Sequence, residues 1–316
     1  MQTVFLFDIL IFLPSIFLGI IMGGNDAGNT LGVTVGNGIF KVKKMITIAA
    51  LVVIIGALLG GRPGLKVSSG IVKVDLPGMV IINISAAIVT LFFLRNGLPI
   101  SMTQAIIGAN VGVGILLKNI NTQLLLYIVL GWFSTPVVAF LLGFILQKVL
   151  ATMFRGIRNL QVRTYILRIF LWVFTIYGVY SMGANDVGKI TGILYQKGYN
   201  VYLLLLIGGL SLSMGVIFLG KKTIYTLGRE LIALDDFTAM VTIATQALTV
   251  GLYSFIGLPV SPAHAIVGSL IGVGFSKGTK LQNPKTFNKI LFSWLQAPLY
   301  GGILSAFMYS IYKLLW

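Results

Sequence analysis

Runs of residues with almost no charge constrain this chain more than any other feature. Residues 5–22, 45–59, 80–94, 124–146, 203–219 and 290–312 are nearly all apolar. A helix needs about 20 such residues to cross the hydrocarbon of a bilayer. Inside that layer each backbone N–H and C=O must find a partner within the protein, and a helix supplies one from its own segment. A soluble domain is the alternative, but it keeps roughly a quarter of its residues charged. Here 9% of the 316 residues are charged and 57% are hydrophobic, with a mean hydropathy of +0.98. The expected fold class is therefore all-α, a polytopic transmembrane helical protein in the lipid bilayer. The first run follows Met-Gln-Thr without basic residues and is interrupted by Asp8, so no cleaved signal peptide is expected.

Two absences narrow the chemistry. The chain has no cysteine and one histidine, which excludes disulfides, thiolate metal sites and multi-histidine centres. The net charge is +16. Its simplest explanation is a set of loop lysines and arginines that fix topology by the positive-inside rule. Nucleic-acid binding would need a basic soluble surface, and no segment is long enough to form one.

The chain also repeats itself. Met22-Gly-Gly-Asn-Asp-Ala-Gly28 aligns with Met182-Gly-Ala-Asn-Asp-Val-Gly188, and Gly97-Leu-Pro-Ile-Ser101 with Gly257-Leu-Pro-Val-Ser261, both at an offset of 160 residues. Gly108, Gly112 and Gly114 align with Gly268, Gly272 and Gly274 at the same offset, and Trp132 and Pro136 match Trp294 and Pro298 after a slip of two. Apolar helices share leucine and glycine by chance, but not Asn-Asp and Gly-Leu-Pro-x-Ser at one spacing. Residues 1–160 and 161–316 are expected to be two repeats within one membrane domain. Equivalent loops differ in charge: Lys41, Lys43 and Lys44 face a region with only Lys197, and Lys277, Lys280, Lys285 and Lys289 face one with only Lys118. That contrast predicts inverted repeats. Loops 41–44, 151–163, 221–229 and 277–289 would be cytoplasmic, and loops 62–77, 118–122 and 197–201 would lie outside with both termini. Arg62, Lys66 and Lys73 run against this assignment.

Of seven acidic residues, only Asp26 and Asp186 sit in the repeated motif with apolar sequence on both sides. An ionisable group inside a span costs several kcal/mol unless paired or hydrated, so it is a functional candidate. The flanking Gly23, Gly24, Gly28, Gly183 and Gly188 predict broken helices there. Freed carbonyls and a carboxylate would then form an oxygen site for a small cation; the plainer alternative is Asn and Asp acting as helix caps. The second constellation, 97–105 and 257–265, has glycine and proline ending one helix and serine capping the next, which predicts helical hairpins. Two helix starts facing each other would present N–H groups and positive dipole ends to an anion, with Ser101, Thr103, Gln104, Ser261 and His264 as side-chain donors. Lys189 stands where the first repeat has Asn29. It could snorkel, neutralise Asp186 or attract the anion.

Gly-Gly-Asn-Asp-Ala-Gly-Asn and Gly-Ala-Asn-Asp-Val-Gly-Lys, each followed by Pro-x-Ser-x-x-(Gln/His), resemble the inorganic phosphate transporter (PiT) family, and the likeness covers both halves. The resemblance implies symport of phosphate with sodium or protons, inverted repeats, and often a homodimer; an inverted pair would bring the helix starts at Ser101 and Ser261 together near the midplane, where alternating access could expose one site to each face in turn. It implies cation-site roles for Asn25, Asp26, Asn185 and Asp186, and phosphate-ligand roles for Ser101, Thr103, Gln104, Ser261 and His264. Lys189 departs from the family's second asparagine, Met102 and Gln104 from its first Ser-Thr-Thr-His, and Pro262-Ala263 from the second Thr-Thr. Sodium is the expected co-transported ligand, with no other cofactor and no enzyme activity. A sulfate or other oxyanion carrier, a proton-coupled symporter and a membrane enzyme on lipid phosphates are the competing readings.

Overall fold

The structure, a computed structural model, describes residues 2–36, 40–95, 100–224, 235–278 and 284–316. Eleven main helices lie among the described residues. In chain order they are α1 (Gln2–Gly36), α2 (Val42–Gly60), α3 (Arg62–Ser69), α4 (Leu76–Arg95), α5 (Met102–Leu117), α6 (Thr122–Arg155), α7 (Leu160–Tyr195), α8 (Val201–Phe218), α9 (Asp236–Phe255), α10 (Pro262–Ser276) and α11 (Pro284–Leu315). Eight of them are long and apolar enough to cross a membrane; α5 and α10 are the shorter apolar members. Along α6, Leu126, Leu130, Phe133, Val137 and Leu141 stay exposed, as do Leu295, Leu299, Ile303 and Phe307 along α11. Apolar stripes at helical spacing on the outer surface are what lipid contact requires.

The helices keep the spacing of the repeated motifs. Helix α4 and helix α9 begin and end 160 residues apart, and α5 and α10 begin 160 apart. Packing crosses between the halves. A Cβ on Gly108 would strike the carbonyl of Pro298, and one on Gly268 the carbonyl of Pro136, so α5 lies against α11 as α10 lies against α6. Likewise Gly23 admits the backbone of Leu212, and Gly183 that of Val53, seating α1 on α8 and α7 on α2. Small residues at these crossings bring backbones into contact where no hydrophobic force separates helix from lipid.

These contacts correct one expectation. Helix α1 runs unbroken through Asn25-Asp26 and α7 through Asn185-Asp186. Gly23 and Gly183 serve close helix packing instead of a break, and the two asparagine side chains bind their neighbouring aspartates, leaving the backbone ladder intact. The helical hairpins are present: α9 turns at 256–261 into α10, and α4 is followed by α5. Gly257, at φ +79, packs its Cα against the backbone of Pro63, where a Cβ would come within 2.8 Å, and so seats the second hairpin tip on α3. Gly97, Leu98 and Pro99 at the first tip lie outside the described residues.

The loops collect at two ends. At one, Val72 bridges Ile120, Asn121 N–H donates to the Ile71 carbonyl (2.9 Å), and the Gln196 amide donates to the carbonyls of Ser69 and Val72. At the other, Phe40 packs on Trp172, Lys44 lies over the same ring, Phe154 meets Phe237, and Lys277 pairs with Asp235 at 2.7 Å. The described parts of loops 41–44, 151–163 and 277–289 thus gather at one end and those of 62–77 and 118–122 at the other; 225–229 and 279–283 lie outside the described residues.

Candidate functional site

The two Asn-Asp motifs converge inside the bundle. The Asp26 carboxylate accepts from the side-chain amides of Asn25 (3.0 Å) and Asn29 (2.9 Å), both on the same atom, Oδ1. Asp186 Oδ1 accepts from Asn185 (2.9 Å) and from the Lys189 ammonium (2.7 Å). The carboxyl groups of Asp26 and Asp186 come into direct electrostatic range of each other, and Lys189 acts on both. The helical period produces this arrangement: residues three apart share a face, so Asn29 returns to Asp26 as Lys189 does to Asp186.

The starts of α5 and α10 meet at the same place. Thr103, in the first turn of α5, donates to the carbonyl of Val260 (3.0 Å), the residue before the α10 cap. That carbonyl also accepts from Asn185 (2.8 Å) and Lys189 (2.7 Å), while Val260 N–H donates to Asn185 Oδ1 (3.2 Å). Lys189 completes its three donors on Thr103 Oγ1 (2.8 Å). The two helix starts and the second Asn-Asp motif therefore form one connected polar cluster.

All the residues singled out for the anion are buried: Ser101, Thr103, Gln104, Ser261 and His264. Ser101 caps α5 by accepting from the Gln104 N–H at 3.4 Å. Ser261 occupies the equivalent cap position but makes no side-chain cap bond. Pro262 supplies no N–H there, and the His264 N–H already donates to the Ser261 carbonyl (3.0 Å). The Gln104 Oε1 atom and both ring nitrogens of His264 are buried without a hydrogen-bond partner; the backbone of Trp132 is in weaker polar range of the ring. The His264 ring rests on Trp294 with centroids 3.8 Å apart and lies within electrostatic range of Lys189. Buried polar atoms carry a desolvation cost unless something meets them.

Comparison with known proteins decides the family. A sequence model of the phosphate transporter family matches residues 22–305. The chain belongs to the phosphate transporter family. Among relatives of this transporter is the sulfate permease CysP of Bacillus subtilis (strain 168), 28% identical over 94% of this chain and 86% of CysP. A solved structure titled "The sodium-dependent phosphate transporter" superimposes with a TM-score of 0.87 at 24% identity, covering 98% of this chain and 99% of the other. That likeness establishes the fold. The family member described here is an integral, multi-pass membrane transporter, not an enzyme.

Three participants in this polar cluster were not assigned from sequence: Asn29, the Val260 carbonyl and the role of Lys189. The first and third had a signal in their shared position, 160 residues apart. A backbone carbonyl leaves none.

Proposed function

We propose that this protein is a secondary transporter that takes up inorganic phosphate by symport with a cation, sodium, through alternating access around a midplane site. The meeting of the α5 and α10 starts with the second Asn-Asp motif, through Thr103 and Val260, carries the reading, because it puts an anion cradle and buried carboxylates in one polar cluster. The phosphate is held by Ser101, Gln104, Ser261 and His264 together with N–H groups of the α5 and α10 starts, a geometry suited to anions. Thr103, whose hydroxyl is already engaged, is the link between cradle and carboxylates. Asn25, Asp26, Asn185 and Asp186 draw the cation, since an excess of buried negative charge is relieved by a small cation with oxygen ligands. The halves 1–160 and 161–316 act as inverted repeats of one membrane domain, with the lysine-rich end cytoplasmic. The chain works as a homodimer.

Sulfate is the second reading. The CysP relative favours it, and so does the second cradle, where Pro262 and Ala263 leave fewer hydroxyls for the substrate. Equilibrium binding of radiolabelled phosphate to the purified protein tests both. Sodium should tighten phosphate binding, and phosphate should tighten sodium binding by the same factor, as linkage requires. Sulfate displacing phosphate at equal concentration would move the assignment to the second reading. Phosphate affinity indifferent to sodium would remove the coupling.

A further inference from the structure

Lys189 is an anomaly at this site. It is fully buried, with its side chain showing no exposure, so it does not snorkel to a membrane surface. Its Nζ atom sits among a carboxylate oxygen of Asp186 (2.7 Å), the backbone carbonyl of Val260 (2.7 Å) and the hydroxyl of Thr103 (2.8 Å). An ammonium has three donors and no acceptor, and all three are satisfied here. A carboxylate, a carbonyl and a hydroxyl are also the oxygen set that hard monovalent or divalent cations take from proteins. Asn185 steadies that set by holding Val260 through both its amide nitrogen and its amide oxygen.

The first repeat shows the same position without the charge. Asn29 makes the corresponding contact to Asp26 Oδ1 with a neutral amide. Two carboxylates and one ammonium leave the ionised cluster one positive charge short of neutrality, whereas two carboxylates alone would leave it two short. Burial makes each uncompensated charge expensive, so the number of exchangeable cations follows the fixed charge.

We infer that the Lys189 ammonium occupies the cation position of the Asn185–Asp186 motif as a tethered cation, leaving one exchangeable cation per transport cycle, held at the Asn25–Asp26 motif. This rests on the cation-coupled reading of the site. It makes Lys189 a determinant of coupling stoichiometry: the second repeat keeps the architecture of a cation site while the chain itself supplies the charge.

The thermal midpoint of the purified full-length protein in detergent, without phosphate, tests this as sodium replaces choline at constant ionic strength. A ligand that binds the folded state raises the midpoint with its own saturation curve. Wild type should give one hyperbolic rise. Lys189→Asn, which recreates the first repeat's residue, should give a larger and sigmoidal rise as the second site opens to sodium. Asp26→Asn should abolish the wild-type response, and the Lys189→Asn/Asp26→Asn double variant should regain one. A Lys189→Asn curve that matches wild type would overturn the inference. So would a sodium response that survives in Asp26→Asn, a variant that tests the inference even if Lys189→Asn does not fold. Because no phosphate is present, a wrong substrate assignment leaves the outcome untouched, whereas a wild type silent to sodium would sink the cation coupling itself.

Discussion

Asn25, Asn29 and Asn185 each spend a side-chain amide on an aspartate one or three residues away, which keeps Asp26 and Asp186 hydrogen-bonded within apolar helices. Ser101 and Ser261 stand at the starts of α5 and α10, buried and next to N–H groups that end-of-helix geometry leaves available. Ser101→Ala and Ser261→Ala should each weaken phosphate binding by roughly 1–3 kcal/mol, the cost of one charge-assisted hydrogen bond. Titration calorimetry on the purified variants measures it, and unchanged affinity in both would put the phosphate elsewhere. The candidate residues were legible in the sequence because polar side chains are scarce in this chain and these recur at one offset. The partners were less so. The Val260 carbonyl accepts three hydrogen bonds, yet valine at that position announces nothing. Lys189 had three readings open until its nitrogen was found between Asp186, Thr103 and Val260.

Helices α1 and α7 show where pattern reasoning went astray at the element scale. Glycines beside Asn-Asp suggested broken helices, but a glycine in a membrane helix has two uses, to release the backbone or to admit a neighbour. Gly23 and Gly183 do the second, each facing a carbonyl of the packed helix. Sequence alone does not separate the two uses. The hairpins were easier, since Gly-Leu-Pro followed by serine both ends a helix and starts one. Their packing also sets a test. Gly272 lies against the Phe140 carbonyl, and Gly112 against that of Gly302, with no room for a side chain. Gly272→Leu should pry α10 from α6 and destabilise the fold by about 1–3 kcal/mol or more, read as a lowered melting midpoint. Gly278→Ala, where a Cβ meets nothing within 4 Å, should cost less, through its positive φ of +69 alone. Equal losses would deny the crossing its role. At the lysine-rich end, Asp235 caps α9 through the Thr238 N–H. Partial burial raises its pKa, but the hydrogen bonds from Lys277 and Thr238 outweigh this and lower it from 3.8 to about 2. A depressed carboxyl pKa stabilises the fold above its unfolded value, so this contribution is complete above about pH 5 and is lost progressively as pH falls through 3.8 to about 2.

In the whole molecule, the two loop ends and the cross-packed halves turn the duplication into an architecture. Each hairpin leans on the long helix of the other half, so neither half packs without its counterpart. If the lysine-rich end is cytoplasmic, a single cysteine at the exposed Lys197 should react with an impermeant thiol reagent on intact cells, and one at the exposed Lys43 only after permeabilisation. The chain has no cysteine of its own, so the background is nil. Labelling of both from one side would contradict the inverted assignment. Uptake tests the transport claim itself. Radiolabelled phosphate is followed into proteoliposomes under an inward sodium gradient, an inward proton gradient, or neither, with wild type and Asp26→Asn in parallel. Phosphate should accumulate in wild type only when sodium drives it, and Asp26→Asn should not accumulate it. Full accumulation in sodium-free buffer on a pH gradient alone, or wild-type rates in Asp26→Asn, would contradict sodium symport through the paired Asn-Asp motifs.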